Sequence, residues 1–137
     1  MLQDHRIAVV IPAYNEEHLL TRTLESVPDF VDDIIVVDDA STDRTAQICN
    51  EFVPGRVILL QHLKNGGVGA AILTGYAGSL ARKADIAVVM AADAQMSPLD
   101  LPALLAPVLA GDADYSKGMR LCWGGGPKNY AVLPVFR

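Results

Sequence analysis

The sequence lacks the closely spaced cysteines that would point to a cross-linked or metal-stabilised scaffold. Its two cysteines, Cys49 and Cys122, lie far apart, and neither belongs to a paired motif. Disulfide frameworks and structural zinc sites both depend on sets of cysteines at short spacings. The composition therefore argues against both classes and indicates a reducing, cytoplasmic compartment.

Basic charge is also scarce. The chain has 11 Lys and Arg against 16 Asp and Glu, which leaves a formal net charge of -5. Proteins that bind nucleic acids concentrate positive charge on one face, and proteins held to anionic membranes by charge do the same. We therefore expect no nucleic-acid partner and no adhesion to a membrane through a basic surface.

Long apolar runs are missing as well. No run approaches the roughly 20 residues that a membrane-spanning helix requires. The segment Met1–Arg6 leads into a short strand-like run, without the apolar stretch and small-residue cleavage site of a signal peptide. A chain of 137 residues that is 51% hydrophobic can fill the core of one domain. We expect one soluble domain.

What the sequence does contain is a regular alternation of strand and helix patterns. Continuous β-favouring runs, typical of strands buried on both faces, occur at Ile7–Ile11, Ile34–Val37, Val57–Leu60 and Ile86–Met90. A helical pattern follows each of them after a short connection. Such alternation predicts βαβ units with right-handed crossovers, and hence an α/β fold around a parallel sheet.

Three details of the helices can be predicted from local sequence. Asn15 is a plausible cap for the first helix, whose inward side would carry Leu19, Leu20, Leu24 and Val27. The third helix, Gly69–Leu80, is rich in small residues and should pack closely on the sheet. The segment Ser97–Asp100 resembles a capping box ahead of the fourth helix, whose apolar stripe includes Leu101, Leu104, Leu105, Val108 and Leu109.

Polar residues follow three of the four predicted strands. Pro12–Glu16 follows the first strand, Asp38 and Asp39 follow the second, and Ala91–Gln95 follows the fourth. The carboxyl ends of parallel strands meet at one edge of a sheet, and open α/β sheets bind nucleotides there. This edge is therefore the predicted active site.

Four motifs follow one another along the chain: Val10–Glu17, Val36–Thr45, Asn65–Ala71 and Val89–Pro98. Together they resemble the motifs of the family 2 glycosyltransferases, and of their dolichol-phosphate-mannose-synthase-like branch in particular. Ala113–Arg120 resembles that family's Ala-Asp-Tyr-x-x-Gly-x-Arg stretch. The resemblance implies a GT-A-type, Rossmann-like sheet flanked by helices. Residues 1–120 would form the nucleotide-sugar-binding domain. Residues 121–137 would be a non-matching tail, with the C-terminal acceptor part missing.

The resemblance also implies roles for individual residues around a nucleotide-sugar donor. Base and ribose would lie among Pro12, Ala13, Tyr14 and Glu16, a base N–H would donate to Asp39, and Gly67 and Asp93 would lie near the diphosphate. An ionised carboxylate only accepts hydrogen bonds, which suits a base N–H. Two structural alternatives remain open. One is that Asp38, Asp39 and Ser41 cap the next helix. The other is that the glycines serve close packing of a helix on the sheet.

A metal site is implied at the end of the fourth strand. Asp93 and Gln95 match the second acid and the glutamine of the family's Asp-x-Asp-x-Gln motif, whereas Ala91 replaces the first acid. Mg²⁺ or Mn²⁺ would be held by these oxygens together with donor phosphates and water. The alternative is that Asp93 only begins a turn before Ser97.

Other polar residues carry weaker signals. His5, His18 and His62 are scattered, without the i, i+4 partner or nearby acid of a metal or acid–base site, so structural or surface roles are expected. Lys117 and Arg120 suit either a phosphate contact or a solvated pair.

The resemblance predicts transfer of a sugar, with inversion, from a GDP- or UDP-linked donor to an acceptor such as a polyprenyl phosphate. No catalytic residue is assigned. A lipid-phosphate acceptor would place the protein at a membrane surface as a peripheral protein. The alternative function is that of a non-catalytic nucleotide-binding or oligomerising remnant, and exposed sheet edges would favour a homo-oligomer.

Overall fold

The computed structural model describes residues 1–118, in which four strands alternate with four α-helices. In chain order these are β1 (Ile7–Ala13), α1 (Leu20–Ser26), β2 (Asp33–Asp38), α2 (Thr45–Glu51), β3 (Val57–Gln61), α3 (Val68–Ala81), β4 (Ile86–Val89) and α4 (Leu101–Leu109). The predicted α/β alternation is confirmed. Arg120 and the predicted tail, residues 121–137, lie outside the described residues.

The strands form one parallel sheet in the order β3-β2-β1-β4. At its centre Val10 of β1 is in register with Ile35 of β2 on one side and with Val89 of β4 on the other. The chain moves outward from β1 to β3 and then returns to the far side of β1. The order therefore reverses between β1 and β4, where open α/β sheets form a ligand crevice at the carboxyl ends.

The sheet is covered on both faces, which explains why its central strands are apolar without alternation. On one face Ile7, Val9 and Ile11 pack in a core that includes buried residues of α1, α2 and α4. On the other face Ala8 packs in a smaller core with Ala71 of α3. Every residue of β2 is buried.

Helix α3 lies unusually close to the sheet. A Cβ atom placed on Gly75 would be 2.1 Å from Cγ1 of Val10, and one on Gly78 would be 3.1 Å from Cδ1 of Leu60. The predicted close packing of this small-residue helix is confirmed. The approach also places the start of α3 beside the carboxyl edge of the sheet.

The predicted cap of the first helix is wrong. The N-cap position of α1 is Leu19, without a side-chain cap. Asn15 instead has a φ of 53°, and its Oδ1 accepts a hydrogen bond from the backbone N–H of Thr42 at 2.9 Å. The reason is that the Asn15 side chain joins the loop after β1 to the loop after β2, so α1 begins further along the chain, at Leu20. Leu19 is consequently exposed, whereas Leu20, Leu24 and Val27 are buried as predicted.

The predicted capping box before α4 does not form either. Ser97 makes no side-chain cap hydrogen bond, and Pro98–Asp100 folds as a 3-10 turn from which α4 continues. The tighter turn removes the α-helical first turn in which the box would operate. The apolar stripe itself is present: Leu101, Leu105 and Val108 are buried, and Leu104 and Leu109 pack against the same core.

Candidate functional site

An open cavity of about 510 Å³ lies at the carboxyl edge of the sheet. It is formed by the end of β1, the loop after β2, the start of α3 and the loop after β4. Its lining consists of Pro12, Ala13, Tyr14, Glu16, Asp39, Asn65, Gly67, Val68, Ala71, Ala91, Ala92 and Asp93. The volume falls within the range of small-molecule sites, about 300–1,000 Å³.

All seven residues predicted from the resemblance to surround a donor line this one cavity: Pro12, Ala13, Tyr14, Glu16, Asp39, Gly67 and Asp93. Tyr14 is 48% exposed and lines the cavity, so a ligand can reach it. Gln95, predicted as a metal ligand, is exposed and does not belong to the lining. Its backbone N–H donates to Oδ1 of Asp93 at 3.1 Å. The roles of these residues toward a donor remain predictions.

Asp39 is held firmly although it is only 3% exposed. Its Oδ1 accepts hydrogen bonds from the backbone N–H of Gly66 at 2.8 Å and from Nδ1 of His62 at 2.6 Å. Its Oδ2 accepts one from the N–H of Gly67 at 2.8 Å. Burial opposes ionisation, but these hydrogen bonds outweigh it and hold the pKa of Asp39 below its ordinary value. The cavity therefore contains a buried, ionised acceptor.

The expectation that no histidine has a nearby acid is wrong for His62. Since the Asp39 carboxylate only accepts, Nδ1 of His62 carries the proton of their hydrogen bond. His62 directly follows β3, and its backbone N–H donates to the carbonyl of Asp38 at 2.9 Å. The pattern of polar residues directly after β1, β2 and β4 also holds for His62 after β3, because β3 ends at the same edge of the sheet.

The structure also decides the capping alternative for the loop after β2. The backbone N–H of Thr45 at the start of α2 donates to Asp43, at 2.9 Å. Asp38 accepts from the N–H of Ser41 at 3.1 Å, and the Ser41 hydroxyl accepts from the N–H of Asn15 at 3.0 Å. Asp39 instead contacts the start of α3. The helix-capping interpretation of Asp38, Asp39 and Ser41 is therefore wrong.

Besides Asp39, two acidic residues, Glu16 and Asp93, line the cavity. Burial is the largest cause that raises the pKa of Glu16, and the negative charges of Asp93 and Asp43 raise it further. A cation bound near these carboxylates would reduce the repulsion between them.

Within residues 1–118 no group of three or more His, Cys, Asp or Glu is arranged to hold a metal ion by itself. Ala91 lines the cavity at the position of the motif's first acid. Mg²⁺ is commonly bound by one or two carboxylates plus substrate phosphates, which the protein oxygens here fit.

Three loops at this edge each contain a residue with a positive φ angle. Asn15 after β1, Ala40 after β2 and Ala94 after β4 have φ values of 53°, 60° and 55°. Residues other than glycine adopt this region at a cost of about 1–3 kcal/mol each. Three further non-glycine residues of the described chain, outside the cavity lining, have positive φ angles as well, so these angles alone do not mark the site.

None of the helices formed by residues 1–118 is long and apolar enough to cross a membrane.

The chain is similar to curated enzymes that act on lipid phosphates. It is 32% identical to the UDP-N-acetylglucosamine–dolichyl-phosphate N-acetylglucosaminyltransferase of Methanococcus voltae, with 98% of this chain and 58% of that protein covered. It is 36% identical to the polyprenol monophosphomannose synthase of Mycolicibacterium smegmatis, with 91% and 49% covered. The chain spans about half the length of the curated relatives it matches.

A similar solved structure is that of glucosyl-3-phosphoglycerate synthase from Mycobacterium tuberculosis in complex with Mn²⁺, UDP and glucosyl-3-phosphoglycerate. The TM-score is 0.63 at 30% identity, and the match covers 82% of this chain and 42% of that one. That neighbour is a GT-A glycosyltransferase, which confirms the predicted GT-A-type fold. Residues 8–134 match the family described as glycosyl transferase family 2. The ordered motifs, the fold and this match together show that the chain belongs to glycosyl transferase family 2.

Proposed function

We propose that this chain forms the donor site of a glycosyltransferase that passes a sugar from a nucleotide to a polyprenyl phosphate. The observation that carries the proposal is the convergence of Tyr14, Asp39 and Asp93 on one cavity at the switch point of the sheet. The donors and acceptors named for its relatives support it, because several of them transfer sugars to dolichyl or polyprenyl phosphates.

Each wall of the cavity has a distinct task in this proposal. Asp39 accepts from a base N–H, and the exposed ring of Tyr14 gives the base or ribose a flat surface. The diphosphate lies toward Gly67 and Val68, where the first N–H groups of α3 favour negative charge. This arrangement directs the anomeric carbon toward the open side of the cavity.

Asp93 would hold a divalent ion, Mg²⁺ or Mn²⁺, with Gln95 as the further predicted ligand. When bound, such an ion stabilises the negative charge of the departing nucleoside diphosphate. Glu16 lines the same cavity, and its pKa is raised by burial and, secondarily, by the charge of Asp93, a repulsion that a cation would reduce. The absence of an acid at Ala91 leaves the diphosphate itself to supply the other charged oxygens.

The transfer needs little acid–base help from the protein. An oxygen of the acceptor phosphate forms the new bond to the anomeric carbon while the bond to the diphosphate oxygen breaks, which inverts the configuration. A phosphate is already ionised near neutral pH, so a strong general base matters less than for a hydroxyl acceptor. The contribution of this chain is therefore to position and activate the donor.

The direct test is nucleotide binding, measured by calorimetry and by thermal shift with UDP or GDP and with MgCl₂ or MnCl₂. A nucleotide should raise the melting temperature, and Asp39→Asn should abolish the shift. Asp29→Asn is the matched control, because Asp29 is fully exposed and does not belong to the cavity lining. If no nucleotide binds with either metal, the donor-site proposal is wrong.

One observation favours the alternative, a non-catalytic remnant that retains the nucleotide site. Ala91 lines the cavity at the position of the motif's first acid, so the cavity lacks that carboxylate. Binding of a nucleotide without sugar transfer to a short-chain polyprenyl phosphate would support the remnant.

The proposed lipid acceptor implies peripheral contact with a membrane, to be measured by vesicle sedimentation. Light scattering would measure the proposed homo-oligomer.

A further inference from the structure

We propose that His62 is a positioning residue that leaves Asp39 with one acceptor position for a ligand, and that the site thereby selects uracil over guanine. This inference rests on the proposed function, since it concerns the base of the donor that the cavity would bind. It concerns a residue that contacts the ligand-binding carboxylate and does not itself line the cavity.

The number of acceptor positions on Asp39 is the first step. An ionised carboxylate offers about four lone-pair positions, two on each oxygen. On Oδ1 both are used, by the N–H of Gly66 at 2.8 Å and by Nδ1 of His62 at 2.6 Å. On Oδ2 the N–H of Gly67 uses one, at 2.8 Å. A single position, on Oδ2, is left for a ligand in the cavity.

The second step compares this single acceptor with the edges of the bases. Uracil presents one imide N–H between two carbonyl groups, so one acceptor satisfies its only donor there. Guanine presents an N–H and an amino group side by side, a pair that matches both oxygens of one carboxylate. With Oδ1 occupied, the amino group would be left without its partner. Cytosine presents a ring nitrogen that accepts, which faces the carboxylate unfavourably.

The third step is that His62 cannot easily release Oδ1. Its Nε2 lies 2.8 Å from the hydroxyl of Thr74 on α3, which donates to it when Nδ1 carries the proton. Its side chain is only 19% exposed. The imidazole is thus held at both nitrogens, between the loop after β2 and helix α3. His62 therefore fixes which oxygen of Asp39 remains available.

The test compares the affinities of UDP, GDP and CDP, each with MgCl₂, by calorimetry. In the unaltered protein UDP should bind at least about tenfold more tightly than GDP or CDP, the usual scale for leaving one buried polar group unpaired. His62→Leu frees an acceptor position on Oδ1 of Asp39 and should reduce the preference for UDP over GDP, measured as the ratio of their affinities, several-fold. His62→Gln can still donate a hydrogen bond to Asp39 from its amide, so this variant should keep most of the preference for UDP over GDP.

The affinity ratio separates positioning from folding. If His62 were only structural, His62→Leu would weaken UDP and GDP alike, and an unchanged ratio in a folded variant would overturn the inference. Thr74→Val, which leaves His62 in place but removes its support, gives a second variant whose ratio should shift in the same direction. Circular dichroism spectra establish that each variant is folded.

The test also distinguishes this inference from the proposed function. Should GDP bind as tightly as UDP while Asp39→Asn weakens both, the donor site stands and the selection of uracil is wrong. Should none of the three nucleotides bind with either MgCl₂ or MnCl₂, the proposed function fails, and the inference fails with it.

Discussion

Substituting Gly75 by alanine tests how the packing of α3 supports the site. The added Cβ would be 2.1 Å from Cγ1 of Val10 and 3.1 Å from its Cβ and Cγ2. Non-bonded carbon atoms prefer separations of about 3.5–4.0 Å. Val10 cannot rotate away readily, because its side chain is β-branched and fully buried in the central strand. Helix α3 must therefore move away from the sheet.

The expected loss follows from two opposing effects. Overpacking of a core costs about 1–3 kcal/mol, and the overlap at Gly75 places it at the upper end. Alanine recovers up to about 1 kcal/mol through its better helix propensity. The free energy of unfolding of Gly75→Ala should thus fall by about 2 kcal/mol, as measured by urea denaturation followed by circular dichroism.

Gly69 is the matched control, because it lies in the same helix and no atom would come within 4 Å of its added Cβ. Gly69→Ala should raise the free energy of unfolding slightly, by less than the roughly 0.5–1 kcal/mol of a helix interior, because Gly69 lies in the first turn of α3. Gly75→Ala should also weaken UDP binding, since a shift of α3 lengthens the hydrogen bond from Gly67 to Asp39. If both alanine variants were stabilised and bound UDP normally, the described contact between α3 and β1 would be incorrect.

Two further predictions follow from titratable groups. Burial, and secondarily the charge of Asp38, raises the pKa of Cys49 to about 11. In the Cys122→Ser protein a thiol reagent at pH 8 should therefore react with Cys49 on the order of a hundredfold more slowly than it does in denaturant, because less of the thiol is ionised. Fast labelling of Cys49 in the folded protein would contradict this prediction. Burial, followed by the charge of Asp93, raises the pKa of Glu16 above its ordinary value, so the ionisation of Glu16 destabilises the fold as the pH rises from the acidic range toward neutrality. Glu16→Gln should therefore have a higher melting temperature than the unaltered protein at pH 7 but not at pH 4, and it should gain less from MnCl₂; equal melting temperatures at pH 7 would refute this reasoning.

Local patterns were sufficient to predict the elements that build the site. The β-branched runs before Pro12, Asp38 and Ala91 form strands because such runs suit buried, pleated backbone wherever they occur. The parallel arrangement then follows from the alternation with helices, since a parallel crossover requires a long connection. These two features together predict that Tyr14, Asp39 and Asp93 lie at one edge of the sheet.

Local rules failed where a side chain has competing partners. Asn15 and Ser97 have the residue types and positions of helix caps, yet Asn15 bonds the loop after β2, and Ser97 precedes a 3-10 turn. A cap contributes about 1 kcal/mol, which a loop-to-loop contact can match. Whether such a residue caps a helix or joins two loops is therefore decided by which loops are brought together.

The strands, the helices and the sheet edge at which the polar residues gather follow from local sequence patterns, because these features depend on neighbours within a few positions. The hydrogen bonds of Asp39 to Gly66, Gly67 and His62, between 23 and 28 positions away, depend on how separate elements pack. Hydrogen-bond geometry requires separations of about 3 Å, and such precision arises only when separate elements pack. The number of acceptor positions left on Asp39, and with it the proposed choice of base, is a property of that packing.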